Sequence, residues 1–372
     1  MLMDAIKMVD LHNQYLKIKK DIDECISNVI YSSAFINGPE VKKFREELAN
    51  YLNVKHVISC ANGTDALQIA LMSLDLNQGD EVITPNFTFV ATVEVIKLLG
   101  LKPVLVDVEK NTFNIDPKLV EKKISSKTKA IIPVHLYGQC ANMKEIMELA
   151  QNNNLFVIED TAQAIGAKCV INNIKHNAGT IGHIGSTSFF PSKNLGCYGD
   201  GGALFTNDDK LADKMQLIAN HGSHKKYYHN NIGVNSRLDS IQAAILRIKL
   251  KHLDTYLDAR KKAADIYDKL LSGVKEISLP VRVPYSDHVF HQYTIKVEEG
   301  RDELKLFLEQ KNIPSMIYYP VPINKQDAYY DNDEYPVSDK LCSTVLSLPM
   351  HTELTYEQQE YICKTISDFY CA

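Results

Sequence analysis

FFPSKNLGCYGDGGALFTN, residues 189–207, sets one lysine, Lys193, between an aromatic, proline-containing run and a cluster of glycines. A lysine on a solvated loop would be unremarked, because lysines are rarely buried. An apolar setting changes its chemistry. Desolvation disfavours the ammonium form, and a neutral amine can condense with a carbonyl. Glycines beside it let the backbone approach a ligand closely. The flanking runs STSFFPS (186–192) and GGALFT (201–206) read as strands, which puts Lys193 in the connection between them.

Working outward, the same strand character recurs at HVISC (56–60), EVITP (81–85), KPVLVDV (102–108), AIIPVHLYG (130–138) and LFVIED (155–160). Between these lie TDALQIALMSL (64–74), ATVEVIKLL (91–99), PKLVEKKI (117–124) and MKEIMELAQNN (143–153), whose apolar residues recur at helical spacing. Strand–helix alternation predicts an α/β fold with a mostly parallel sheet flanked by helices. Asp116-Pro117 supplies a capping carboxylate followed by a proline, a helix start. Beyond 207 the pattern turns helical: one helix in 208–222 stopping at Gly222, and one bent or two successive helices in 236–271. From about 275 come short strands, loops and two helices, at 301–312 and 356–370. This divides the chain into a large domain, 1–250, and a smaller C-terminal α+β domain, 251–372.

Ligands of open α/β sheets bind at the carboxyl ends of strands, and three further pieces fall there. ANGTDAL (61–67) places Gly63 and Thr64 at a helix N-terminus, a natural phosphate seat, although a plain turn has the same composition. VIEDTAQAIGA (157–167) ends a strand in Glu159-Asp160, followed by Gln163. Such an acid is either a helix cap or the partner of a pyridinium nitrogen, whose protonation keeps the ring an electron sink. TPNFTFVAT (84–92) carries Phe87 and Phe89, fit either for core packing or for lying on a flat ring.

The order is phosphate turn, stacking aromatic, strand-end acid with glutamine, then lysine before glycines. That is the arrangement of fold-type I pyridoxal-phosphate enzymes. The stretches ANGTDALQIAL, IEDTAQAIGA, FFPSKNLGCYGDGGA and GVNSRLDSIQAAILRIKL closely resemble the DegT family of nucleotide-sugar aminotransferases, over nearly the whole chain from Val9 to Pro349. The likeness is greatest to the branch that aminates UDP-2-acetamido-2-deoxy-3-oxo-glucuronate. The resemblance implies pyridoxal 5′-phosphate as cofactor, bound by Gly63, Thr64, Asp65, Phe89, Asp160, Gln163, Ser188 and Lys193, with Asn235 contributing to the neighbouring subunit's phosphate site. It implies Lys193 as the amine that bonds the cofactor and moves the proton, Asp160 on the ring nitrogen, Gln163 on the ring hydroxyl and Phe89 on the ring face. Arg237 is the candidate for an anionic part of the substrate, and Tyr319 for an active-site hydroxyl. Tyr318 stands where many relatives carry a histidine, so a histidine contact to the sugar is not expected. The implied partners are L-glutamate, which leaves as 2-oxoglutarate, a UDP-linked keto sugar, and a second copy of the chain in a homodimer with shared sites. The product would be a diamino sugar for surface glycans.

Other readings compete. UDP-3-oxo-N-acetylglucosamine or a 3- or 4-keto-6-deoxy nucleotide sugar would need the same chemistry. Sugar dehydratases of the same family replace the lysine with histidine, which Lys193 argues against. A non-catalytic regulatory protein on this fold would not need every cofactor-facing residue.

Bulk properties narrow the classes. The chain has 372 residues, 45% of them hydrophobic and 23% charged, enough for a large core. The 41 basic and 46 acidic residues are interspersed, for a formal net charge of −5, which leaves no footprint for nucleic acid. No run of about 20 apolar residues exists for a membrane span. The 8 cysteines lack C-x-x-C spacing and the first residues lack a long apolar centre, so the expectation is reduced thiols in the cytoplasm.

Overall fold

The computed structural model describes residues 4–225 and 227–371. Two helices come first, α1 (Leu11–Ser32), capped by Asp10, and α2 (Pro39–Leu52). Alternation then begins: β1 (His56–Cys60), α3 (Gly63–Met72), β2 (Glu81–Pro85), α4 (Ala91–Leu98), β3 (Lys102–Val106), α5 (Pro117–Lys123), β4 (Thr128–Ile131), α6 (Met143–Asn152) and β5 (Phe156–Asp160). A hairpin follows, β6 (Lys168–Ile171) and β7 (Ile174–Asn177), then β8 (Ile184–Ser188), β9 (Gly202–Thr206) and α7 (Asp209–Ala219). The expected cap at α5 forms: the Asp116 carboxylate accepts from the Lys118 N–H at 2.9 Å.

The main sheet has 7 strands in the order β1-β9-β8-β5-β4-β2-β3. Only β9 runs against its neighbours. Successive strand residues point to opposite faces, and each face has its own core. Val57, Ile83, Ile131, Val157 and Phe205 meet α2, α6 and α8 (Ser240–Leu250). Ile58, Val82, Ala130, Ile158 and Leu204 meet α3, α4 and α7. Burying each such side chain contributes about 1.5–3 kcal/mol, so the sheet is held from both sides and its strand ends are rigid points.

The 236–271 segment forms two helices, α8 and α9 (Leu253–Leu271). A second core gathers Ala263 and Tyr267 of α9 with β10 (Ile277–Ser278), β11 (Tyr293–Val297), α10 (Arg301–Gln310), β12 (Val345–Leu348) and α12 (Tyr356–Cys371); α11 (Pro336–Thr344) precedes β12. The strands β10-β11-β12 form a separate sheet.

Three runs differ from expectation. In the 130–138 run the regular strand ends at Ile131; Pro133, lacking an N–H, interrupts the ladder, which keeps one bridge from Val134 to Asp160 before the chain turns at Leu136–Gly138, with Tyr137 at φ 57°. The 102–108 strand ends at Val106, and the 186–192 strand is shifted, running from Ile184 to Ser188. No helix among the described residues is long and apolar enough to cross a membrane.

Candidate active site

The carboxyl ends of β1, β2, β5 and β8 open on a cavity of about 770 Å³. Gly63, Thr64, Asp65, Phe89, Asp160, Gln163, Ser188, Lys193, Tyr318 and Tyr319 all lie on its wall, gathered from segments far apart in the chain.

The end of β1 delivers the N-terminus of α3. Asn62 caps it, its side chain accepting from the Asp65 N–H at 2.8 Å. The N–H groups of Gly63 and Thr64 are left for a ligand, at the positive end of the helix dipole. Glycine at 63 is needed for closeness: a Cβ there would sit 2.7 Å from the Ser188 Cβ. Ser188, ending β8, thus brings its hydroxyl against the same turn. Asp65 lines the cavity, but its N–H is taken by Asn62 and its carboxylate accepts from Ser236 Oγ at 2.6 Å.

Asp160 ends β5 with its carboxylate buried. It accepts from Thr92 Oγ1 at 3.0 Å and from the Ala162 N–H at 3.1 Å. Burial pushes its carboxyl up; these hydrogen bonds and the charge of Lys193 pull the other way. The preceding Glu159 faces elsewhere. It accepts backbone N–H groups of Gly179, Ile181 and Gly182 and pairs with buried His135, fastening the loop before β8.

Lys193 follows β8, and the surface it retains faces the cavity. Its N–H donates to the Phe190 carbonyl at 2.8 Å. Burial lowers its amine to about 8 against the opposing pull of Asp160. Such an amine is substantially neutral near pH 8, as a nucleophile must be.

Gln163 is fixed at both ends. Its Oε1 accepts the Tyr137 N–H at 2.7 Å and its Nε2 donates to Tyr319 Oη at 3.1 Å. Phe89 is 55% exposed, and its ring lies 6.2 Å from that of Tyr319, so an aromatic face is offered to the cavity. Phe87 is instead core.

Asn235 and Arg237 are not on this wall. Asn235 is exposed and bridges to Asn220; Arg237 is half-buried and forms no ion pair among the described residues. Their neighbour Ser236 is the link, joining Asp65 to the Ala61 N–H. Sequence reasoning missed Thr92, Tyr137, Ser236 and His291. Thr92 stood inside a quoted stretch, but nothing in the sequence marked it as the donor to Asp160. Tyr137 and His291 reach the site through turns that periodicity does not describe.

The DegT/DnrJ/EryC1/StrS aminotransferase family model matches residues 16–367. The chain belongs to this aminotransferase family. Among its relatives, a protein of Geobacillus stearothermophilus named pleiotropic regulatory protein is 47% identical over 98% of both chains. A UDP-2-acetamido-2-deoxy-3-oxo-D-glucuronate aminotransferase of Pseudomonas aeruginosa is 45% identical over 98% of this chain and 100% of its own. A UDP-N-acetyl-3-dehydro-alpha-D-glucosamine 3-aminotransferase of Acidithiobacillus ferrooxidans is 44% identical over 97% of each. A DegT family aminotransferase structure from Brucella abortus superposes with a TM-score of 0.93, at 41% identity, covering 99% of this chain and 100% of that one. NtdA from Bacillus subtilis, solved with bound cofactor PMP, gives 0.91 at 31% identity, covering 100% and 86%.

Aminotransferases of the DegT family use pyridoxal 5′-phosphate, and the site of this member fits it. A buried carboxylate that forms no ion pair among the described residues suits a protonated ring nitrogen. Two free N–H groups with the hydroxyls of Thr64 and Ser188 suit a phosphate, and a depressed lysine suits an aldehyde.

Proposed function

We propose that the protein transfers an amino group from L-glutamate to the 3-keto carbon of a UDP-linked sugar of the 2-acetamido-2-deoxy-3-oxo-glucuronate type. The observation that carries this reading is one cavity joining Lys193, Asp160 and the α3 N-terminus, in a chain 45% identical to an enzyme named for that substrate. Pyridoxal phosphate bound there supplies an aldehyde and a ring that stores the electron pair of a broken C–H bond.

Each residue then has a task. Lys193 would present its neutral amine to the aldehyde and, when free, would hold and move the proton at the reacting carbons. Asp160 would face the ring nitrogen and favour its protonated form. Gly63, Thr64 and Ser188 bind the phosphate, with Asp65 steadying the turn through Ser236. Gln163 reaches the ring hydroxyl with the amide hydrogen not given to Tyr319. Phe89 covers one ring face. Tyr318 and Tyr319 orient the sugar. Arg237 takes an anionic group, either a carboxylate or the diphosphate, through its planar fork. Asn235 completes the phosphate site of a neighbouring subunit, which requires a homodimer. The division near residue 250 lets the C-terminal part carry the two tyrosines to the large domain's strand ends. The reaction belongs in the cytoplasm, and the product, a diamino sugar, serves a surface glycan.

A second substrate has its own support: the 44% identity to the enzyme named for the 3-dehydro-glucosamine sugar, which lacks the C6 carboxylate. The test is amination of both keto sugars side by side with glutamate as donor. A higher kcat/KM on the glucuronate, lost in Arg237→Ala, is expected. Equal rates on both would assign the second substrate.

A further inference from the structure

His291 lies outside every sequence motif, yet it lines the cavity together with Lys193. Only 5% of its surface is exposed. Its backbone is held from two sides. Arg260 of α9 donates through Nη1 to the carbonyls of Phe290 and His291, at 3.1 and 3.3 Å. From the other side, the Leu136–Gly138 turn presses so close that a Cβ on Gly138, at φ +102°, would lie 3.0 Å from the His291 nitrogen.

The ring is less conventionally placed. Its Nδ1 is enclosed and has no hydrogen-bond partner. Burial, with the charges of Lys193 and Arg260, holds its proton affinity well below that of an ordinary histidine. The imidazole is therefore neutral, with one N–H and one lone pair. Enclosed N–H groups without partners are rarer than enclosed acceptors, so the lone pair belongs on Nδ1 and the proton on Nε2. The Nε2 edge is then the one that meets the cavity.

We propose that His291 is a positioning residue for Lys193, whose Nε2–H donates, directly or through one water, to the lone pair of the lysine amine. An ammonium group has no lone pair to accept with. The donor therefore favours the neutral amine and aims it, where burial alone would only favour it. The other titratable groups on the cavity wall are Asp65, Asp160 and Asp200 and the phenols of Tyr137, Tyr318 and Tyr319, with Arg260 of α9 beside His291. Asp160 opposes the effect at Lys193, by favouring its charged form. The inference rests on Lys193 being the reacting amine, but its test needs no cofactor.

Cofactor-free protein is pulsed with acetic anhydride, which acylates neutral amines, across pH 6.5–10. Labelling of the Lys193 peptide is read by mass spectrometry. Wild type should give a midpoint near about 8. His291→Phe, which removes the donor, should raise it by about one unit, a tenfold loss of labelling below the midpoint. His291→Gln, which keeps an N–H, should restore labelling to near the wild-type curve. Wild-type midpoints in both variants would overturn the proposal. Nitrogen-15 spectra of the wild-type histidines decide independently if the Phe variant does not fold. A neutral, Nε2-protonated His291 from pH 6 to 9 is expected, and a charged or Nδ1-protonated ring would overturn it. Failure of the cofactor reading would appear instead as a chain that binds no pyridoxal phosphate while its labelling curves stay as described.

Discussion

Among the described residues two lysines, in different surroundings, are lowered to about 8. Lys193 faces the cavity and Asp160; Lys249, 1% exposed in α8, has its Nζ 5.2 Å from the centre of the Tyr198 ring and no ion pair among the described residues. Burial lowers each to about 8 from 10.5. Only Lys193 has a ligand cavity in front of it. Lys193→Ala should therefore lower amination by at least about a thousandfold, the scale of a lost proton-transfer group, measured as glutamate-dependent product formation. Reconstitution of the cofactor-free enzyme should quicken as pH rises through about 8, since only the neutral amine condenses. Gly63→Ala should weaken cofactor binding by about 1–3 kcal/mol, because the new methyl group meets Ser188. Equilibrium dialysis checks it. The buried setting of Lys193 at the cavity was legible because an aromatic-proline run and glycines flank it. The hydrogen-bond partners Thr92 and Ser236 were not, because a threonine or serine looks the same in sequence whether it caps, packs or donates.

At the scale of elements, the strands were readable where a short run is buried on both faces, as in HVISC and EVITP. The hairpin of β6 and β7 was not, although its turn residues Asn172 and Asn173 both have positive φ, 51° and 64°. Side chains that tolerate this conformation are the signal of such a turn, but the flanking strands are half-exposed and carry no apolar alternation. Helices α1 and α2 went unread because their buried residues are few and spaced among many charges. In α8 the buried lysine has a consequence for stability. Its folded proton affinity is depressed, so the unfolded chain binds more protons between about 8 and 10.5. The destabilisation is thus full below pH 8 and fades as pH rises through that window. Lys249→Met should raise stability by a few kcal/mol at pH 7 and flatten the rise between pH 8 and 9.5, checked by urea denaturation. A variant less stable than wild type at pH 7 would show that the lysine is paired in solution.

Across the whole molecule, segments scattered between the end of β1 and the loop after α10 converge on one cavity, whereas Asn235 and Arg237 stay off its wall. The proposed sharing of each site between two subunits would account for both. Mixing Lys193→Ala protein, inactive alone, with Arg237→Ala protein, weakened on the glucuronate, should recover activity on that substrate in mixed dimers, approaching about a quarter of wild type if subunits exchange at random and each dimer has two independent sites. No recovery on mixing would place Arg237 in its own subunit's site or in none. The central claim, that the amine at 193 bonds the aldehyde of pyridoxal phosphate, is tested most directly by borohydride reduction of the reconstituted full chain followed by peptide mass spectrometry. The chain supplies its own control in Lys249, equally depressed in proton affinity but not on the cavity wall. One pyridoxyl phosphate on the Lys193 peptide and none on the Lys249 peptide is the predicted result; an unmodified Lys193, or an adduct elsewhere, would contradict it.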